Sequence, residues 1–182
     1  MSKNIASKLQ TCYFMKTGAS MRKIRNPFTA TAGYHCFGCC PTNPIGLQLE
    51  FWQDGDDLVA FWQPRGEYQG WGNILHGGIQ TTLLDEIGGW IILIACEKAG
   101  VTVQMEMKFL KPVSTVEGRL TIRCRIREQK RRVVVVESEL INAAGDLCTR
   151  GLAHYFTFER ENAPEHLRFP EKGAFFEETD NE

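Results

Sequence analysis

From Leu47 the chain alternates. Leu47, Leu49 and Phe51 face one way, and Gln48, Glu50 and Trp52 face the other. A period of two puts one face of a β-strand against a core. A second apolar run, Leu58 to Gln63, follows Asp54-Gly55-Asp56-Asp57. Two such runs across a Gly/Asp turn predict a β-hairpin. The period then changes. Ile79, Leu83, Ile87, Ile91 and Ile94 recur at intervals of three and four, which predicts one apolar stripe on a helix from His76 to Ala99. Trp90, Ile92, Leu93 and Ala95 make the second half apolar nearly all round, the mark of a helix buried on all sides. Gly100 is placed as its C-terminal cap residue. Gly88-Gly89 weakens the middle by about 1 kcal/mol each relative to alanine, and residues this small let a strand or a second subunit come close.

Runs rich in Val, Ile and Thr predict further strands at about Thr102–Leu110, Thr115–Arg127, Arg132–Asn142 and Asp146–Phe158. The turns between them are short, at Lys111-Pro112, Glu128–Arg131 and Ala143–Asp146, which favours an antiparallel meander. Two strands, one long helix and four strands predict an α+β fold: a curved antiparallel sheet wrapped around one apolar helix. One sheet face stays open in such a unit, so at least a dimer is expected. Outside a domain at 35–158, residues 1–34 read as a basic N-terminal extension. Leu9, Tyr13 and Met15 there suit a short helix, and Asn26-Pro27 ends any helix. Residues 159–182 read as a polar, acidic, loosely held tail.

Composition narrows the class. With 43% hydrophobic and 24% charged residues, the chain suits one globular domain with a full core. A formal net charge of -1 gives no ground for a nucleic-acid partner. The alternating Arg119, Arg123, Arg125 and Arg127 read as the solvent face of a strand, without the interleaved aromatics of a nucleic-acid platform. Seven cysteines, an odd number in a chain of this length, do not suit a disulfide scaffold. The start lacks the apolar core of a signal peptide, and the run Trp90–Cys96 is far short of the roughly 20 residues that span a bilayer. The expectation is a soluble, reduced, cytoplasmic protein with no membrane partner.

Chemistry concentrates in one stretch. His76-Gly77-Gly78 opens the predicted helix, and Asp85-Glu86 lies about two and a half turns further on. Carboxylates in an apolar helix are costly unless something binds or uses them. Upstream, Cys36-Phe37-Gly38-Cys39-Cys40 beside His35 offers half of a zinc motif. Strong zinc sites carry two Cys/His pairs at defined spacing, and Cys96, Cys124 and Cys148 are isolated. Turn or buried cysteines, and no metal, are the expectation from sequence.

These elements and motifs resemble the hotdog-fold acyl-CoA thioesterases, with the phenylacetic-acid-degradation (PaaI-like) type as the nearest branch. The residues that carry the resemblance are Ile74-Leu75-His76-Gly77-Gly78-Ile79 with Asp85-Glu86, then Phe109-Leu110-Lys111-Pro112-Val113 with Gly118. Upstream, Cys36-Phe37-Gly38-Cys39 and Asn43-Pro44-Ile45-Gly46-Leu47 also match. The resemblance implies hydrolysis of an acyl-CoA thioester with no cofactor, in a homodimer or dimer of dimers. The amide of Gly77 or Gly78 would polarise the thioester carbonyl, since helix-start N–H groups are unpaired and sit at the positive end of the dipole. His76 would brace the loop. Asp85 matches the family's catalytic carboxylate, acting as base or nucleophile across the dimer interface. Glu86 is the second choice, about 100° away around the helix. Thr102 stands where related enzymes carry a hydroxyl, and it would position water. Related enzymes often carry Asn or Gln six residues before the histidine; here that residue is Gly70, with Gln69 and Asn73 as substitutes. Lys108, Lys111, Lys130, Arg131 and Arg132 are candidates for a basic rim around the phosphates of coenzyme A. The Gly70 departure motivates an alternative, a non-catalytic acyl-CoA or lipid-binding protein on the same fold. A hotdog hydratase is a more distant reading, because its motif context is missing.

Overall fold

A computed structural model describes residues 21–176 of the chain. The short helix expected around Leu9 and Tyr13 lies outside the described residues. The predicted hairpin forms from β2 (Phe51–Asp54) and β3 (Asp57–Trp62), with Gly55 at φ 62 in the turn, a conformation that suits glycine. Leu47, Leu49 and Phe51 are buried, as the alternation requires. The later strands are β6 (Lys98–Phe109), β7 (Leu120–Lys130), β8 (Val133–Ile141) and β9 (Leu147–Glu159). With β1 (Arg22–Ile24) they build one antiparallel sheet in the order β1-β2-β3-β7-β8-β9-β6. The helix α1 (Gly77–Ile91) packs on its inner face, burying Leu83, Leu84, Ile87, Trp90 and Ile91. This is the α+β hotdog arrangement. By length and composition Gly77–Cys96 resembles a membrane span, but strands β3, β6, β7, β8 and β9 contact α1 and account for its apolar surface.

Several expectations need correction. The helix does not run unbroken to Ala99. After Ile91 it widens into a π-helical turn, Ile92–Cys96, and stops at Glu97, which takes the left-handed conformation at φ 54. Gly100 is therefore no cap. It lies in β6 opposite Thr157, where a Cβ would come within 3.2 Å of the Ile92 side chain, so its smallness lets strand and helix approach. The last strands are not a simple meander either. β6 crosses to pair with β9, which frees β7 to pair with β3. The crossing segment is held by Leu75 N–H to Val113 O and Thr115 N–H to Asn73 O, so the predicted run Thr115–Arg127 forms a strand only from Leu120. A small hairpin of β4 (Gln69–Trp71) and β5 (Ile74–Leu75) has no counterpart in the predicted elements.

The chain ends also differ from expectation over their described part. Residues 22–24 add an edge strand to β2. The tail returns to the core. Arg25 N–H donates to Phe175 O at 2.8 Å, and Phe175 is fully buried. Its ring lies edge-on to Trp90 and to Phe28, while Trp90 stacks on Phe51 with 4.6 Å between centroids. On the outer face the arginine row is taken up by pairs. Arg123 bridges Asp54 and Asp57, Arg125 and Arg127 meet Glu137, and Arg119 covers the Phe61 ring. Truncating Phe175 removes a ring that joins the tail to the helix. Phe175→Ala is expected to cost about 3–5 kcal/mol in chemical denaturation, whereas a loss under about 1 kcal/mol would mean that the tail adds nothing to the core.

Candidate active site

The site begins where β5 hands the chain to α1. His76 is the N-cap. Its Nδ1 accepts the Gly78 N–H at 2.9 Å, and its own N–H donates to Tyr68 O at 2.9 Å. Gly78 is therefore not a free donor, which corrects half of the expected carbonyl-binding pair: a neighbouring ring nitrogen has already taken its proton. The Gly77 N–H has no acceptor among the described residues and remains available. A ring that accepts at Nδ1 carries its proton on Nε2, so His76 adds a second donor at this end. Gln80, buried one turn in, holds the entry by donating to Leu75 O at 3.0 Å and accepting from Thr149 Oγ1.

The Gly70 departure has a steric cause. A Cβ at Gly70 would lie 3.3 Å from the His76 ring, so a side chain there would press on the capping histidine. Gln69 does not replace it freely: its Oε1 accepts the Asn73 N–H at 3.0 Å within the β4–β5 turn. Asn73 sits at φ 58 in that turn, with its carbonyl committed to Thr115. Both are exposed, Gln69 at the start of β4 and Asn73 in the turn.

Asp85 lies eight residues beyond Gly77, or about 12 Å along the axis at 1.5 Å per residue. Its Oδ1 accepts from Thr102 Oγ1 at 2.7 Å and from Tyr155 Oη at 3.1 Å. Thr102 and Tyr155 are cross-strand partners on β6 and β9, beside a bulge at Val103. Bulges recur beside active sites because they re-aim side chains. Oδ2 has no donor among the described residues, so one carboxylate oxygen is fixed and the other has lone pairs to spare. Tyr155 reaches Asp85 over Gly88, where a Cβ would stand 2.2 Å from the phenol oxygen. Burial and the Asp85 charge hold the Tyr155 phenol well above its ordinary range, so it acts as a donor. Sequence reasoning missed Tyr155 and Gln80. Gly88 hinted at a close neighbour, but the register that supplies it is not local information.

Glu86 turns away from Asp85, toward the Cys36–Cys40 loop. Trp90 Nε1 donates to its Oε1 at 3.2 Å, and Cys36 Sγ lies 3.5 Å from the same oxygen. Burial, then the Cys36 charge, raises its carboxyl to about 7. The Cys36 thiol is lowered to about 5, chiefly by a hydrogen bond from Cys39, whose own thiol is pushed up by that bond and by burial. Asp85, Glu86, Cys36, Cys39, Gly89, Trp90, Thr102 and Tyr155 all line one cavity of about 550 Å³.

The expected basic rim does not form within one chain. Lys111 pairs with Asp146 near the β8–β9 turn, while Lys130, Arg131 and Arg132 occupy the β7–β8 turn at the other end of β8. Lys130 is paired with Glu128. Lys108 stays beside Lys111's end, on β6 opposite Arg150.

Comparison with known proteins agrees with this fold. Residues 72–149, from the β4–β5 turn into β9, match the model of the thioesterase superfamily. A Saccharolobus solfataricus protein that carries a provisional esterase name is 30% identical over 126 residues, covering 69% of this chain and 82% of the relative. The S. sahachiroi AziG structure superposes with a TM-score of 0.57 at 26% identity, over 62% of this chain and 93% of that one. A hypothetical thioesterase protein of Streptococcus pneumoniae, solved with coenzyme A, has a TM-score of 0.53 at 24% identity, over 57% and 82% of the two chains. The family match and the Saccharolobus relative support thioester or ester hydrolysis as the class of activity. In sequence and in architecture alike, the chain belongs to the thioesterase superfamily.

Proposed function

We propose that the protein hydrolyses an acyl thioester of coenzyme A at a site completed by two copies of the chain. The observation that carries this reading is the separation of about 12 Å between the Gly77 amide and Asp85 on one straight helix. A carbonyl held at one cannot be attacked by water held at the other. Pairing antiparallel copies brings the helix start of one protomer to Asp85 of its partner. Strand β6 is a ready seam. It is the sheet edge, 12 residues long, and Val101 and Val103 are 37% and 60% exposed. The same pairing places Lys111 of one copy and the Arg131-Arg132 turn of the other at one site, where they would meet substrate phosphates.

In the proposed reaction, Thr102 and Tyr155 fix Asp85, and its free Oδ2 takes a proton from water. The water oxygen attacks the thioester carbon. The Gly77 N–H and the His76 Nε2–H receive the charge that builds on the carbonyl oxygen, an effect worth several kcal/mol in a dry site. The C–S bond then breaks, and the coenzyme A thiolate leaves and picks up a proton. The pneumococcal fold relative solved with coenzyme A motivates the choice of acyl carrier.

Thiol release from a panel of acyl-CoAs tests the reading. Asp85→Asn is expected to lower kcat by about 10²–10⁴ with the fold intact; turnover equal to wild type would sink the assignment. Tyr155→Phe loses the hydroxyl shared between the main-chain O of Asp85 at 3.0 Å and its Oδ1 at 3.1 Å, and is expected to cost about 1–2 kcal/mol of stability along with a fall in kcat rather than a rise in KM. Gly77→Pro deletes the helix-start donor alone, because proline is tolerated at the first helical position and His76 already has an extended backbone at ψ 136. Denaturing and refolding Asp85→Asn together with Gly77→Pro is then expected to regain roughly a quarter of wild-type activity, from mixed dimers with one intact site. A mixture as inactive as its parents would place the whole site within one chain.

A further inference from the structure

From the Cys36 loop we infer that Cys36, Cys39 and Glu86 form a zinc-binding site with its open coordination position facing the cavity beside Asp85. The ligand atoms of these three side chains all lie within 4.8 Å of one another. Cys36 Sγ is 3.5 and 3.6 Å from the two Glu86 oxygens. Bond lengths of about 2.3 Å to sulfur and about 2.1 Å to oxygen give a tetrahedral S···O edge of about 3.6 Å. The Cys36–Glu86 edge is therefore already as long as one between ligands around an ion.

The loop is built for this geometry. Asn43 is buried, accepts the Ile45 N–H and donates to the carbonyls of His35 and Cys36. Leu47 N–H and Leu49 N–H bond to the carbonyls of Phe37 and Gly38, fastening the loop to the chain ahead of β2. Each ligand is also oriented by a polar neighbour of its own. Gly38 N–H reaches Cys36 Sγ at 3.3 Å, Tyr34 Oη lies 2.8 Å from Cys39 Sγ, and Trp90 Nε1 reaches Glu86. Outer contacts of this type fix the ligands of metal sites. Gly38 leaves room for the carboxylate, since a Cβ there would stand 2.2 Å from Glu86 Oε2.

Charge gives the reason for a cation. Glu86 points into a sulfur-lined corner and forms no ion pair among the described residues. A partly buried carboxylate without a cation is costly. Two thiolates and one carboxylate suit a borderline-soft divalent ion, and zinc takes this donor set with tetrahedral geometry. Three protein ligands leave the fourth position to water or to a ligand entering the cavity.

The site does not depend on the hydrolase reading, and its test needs no substrate. The freshly reduced protein is equilibrated with zinc, passed through a desalting column and assayed for metal; cobalt replaces zinc for the absorption of cobalt–thiolate bonds. About one ion per chain is expected, with a cobalt spectrum that reports two sulfurs. Cys36→Ser and Cys39→Ser should lose the ion, and Glu86→Gln should weaken binding by more than about tenfold. Gly38→Ala gives a second approach, because the atoms nearest its methyl group are Oε2, Cδ and Cγ of Glu86, while both thiols are retained in the sequence. It should bind more weakly while keeping the wild-type circular dichroism. No stoichiometric ion in the reduced wild type would overturn the proposal, as would an ion held equally well by the cysteine variants. A Cys36–Cys39 disulfide that reforms in place of metal uptake would overturn it too.

Discussion

Two adjacent carboxylates on a core helix must both leave bulk water, and much of the molecule is arranged to make that tolerable. Consecutive helix positions point about 100° apart, so no single partner can serve both. Asp85 is answered by hydroxyls, Thr102 on β6 and Tyr155 on β9. Glu86 is answered by the Cys36 loop and Trp90. The former solution needs β6 to cross the sheet and lie beside β9. The latter needs a buried Asn43 and a tight turn before β2. Sheet order, the Val103 bulge and the upstream loop therefore serve one electrostatic constraint.

One glycine of α1 and one of the Cys36 loop serve the same end. Gly88 and Gly38 are each the place where a Cβ would collide with the partner of a carboxylate or with the carboxylate itself. Gly70 does this for the histidine that caps the helix. These positions are not flexible joints. They are where a polar group passes close to the main chain.

What could be read from sequence follows the range of the interactions involved. The β2–β3 hairpin and the apolar stripe of α1 are local patterns, and both were legible. So was the divergence of Asp85 from Glu86, a matter of helical geometry alone. The exchange of β6 for a meander partner was not, because antiparallel pairing with β9 leaves no mark at a fixed sequence spacing. Tyr155 was invisible for that reason: it matters through its register opposite Thr102. The use of Gly78 by His76 depends on a rotamer, and the third ligand of the cysteine loop lies 50 residues downstream of Cys36. A search for paired cysteine motifs passes over such a site, since its missing member is a carboxylate.

The tail that returns to Trp90 and to the Arg25 backbone sets an order on the life of the chain. Ribosomes deliver the N-terminal segment first, yet the carbonyl that binds Arg25 belongs to Phe175. Strand β6 likewise emerges well before β9, its partner in the sheet. The β1 edge can pair with β2 early, but β6 has no partner until β9 has been made, and the Arg25 N–H has no acceptor until Phe175 follows. Nascent protein thus exposes the inner row of β6 until β9 is made and Trp90 until Phe175 is made, so the two are closed in turn.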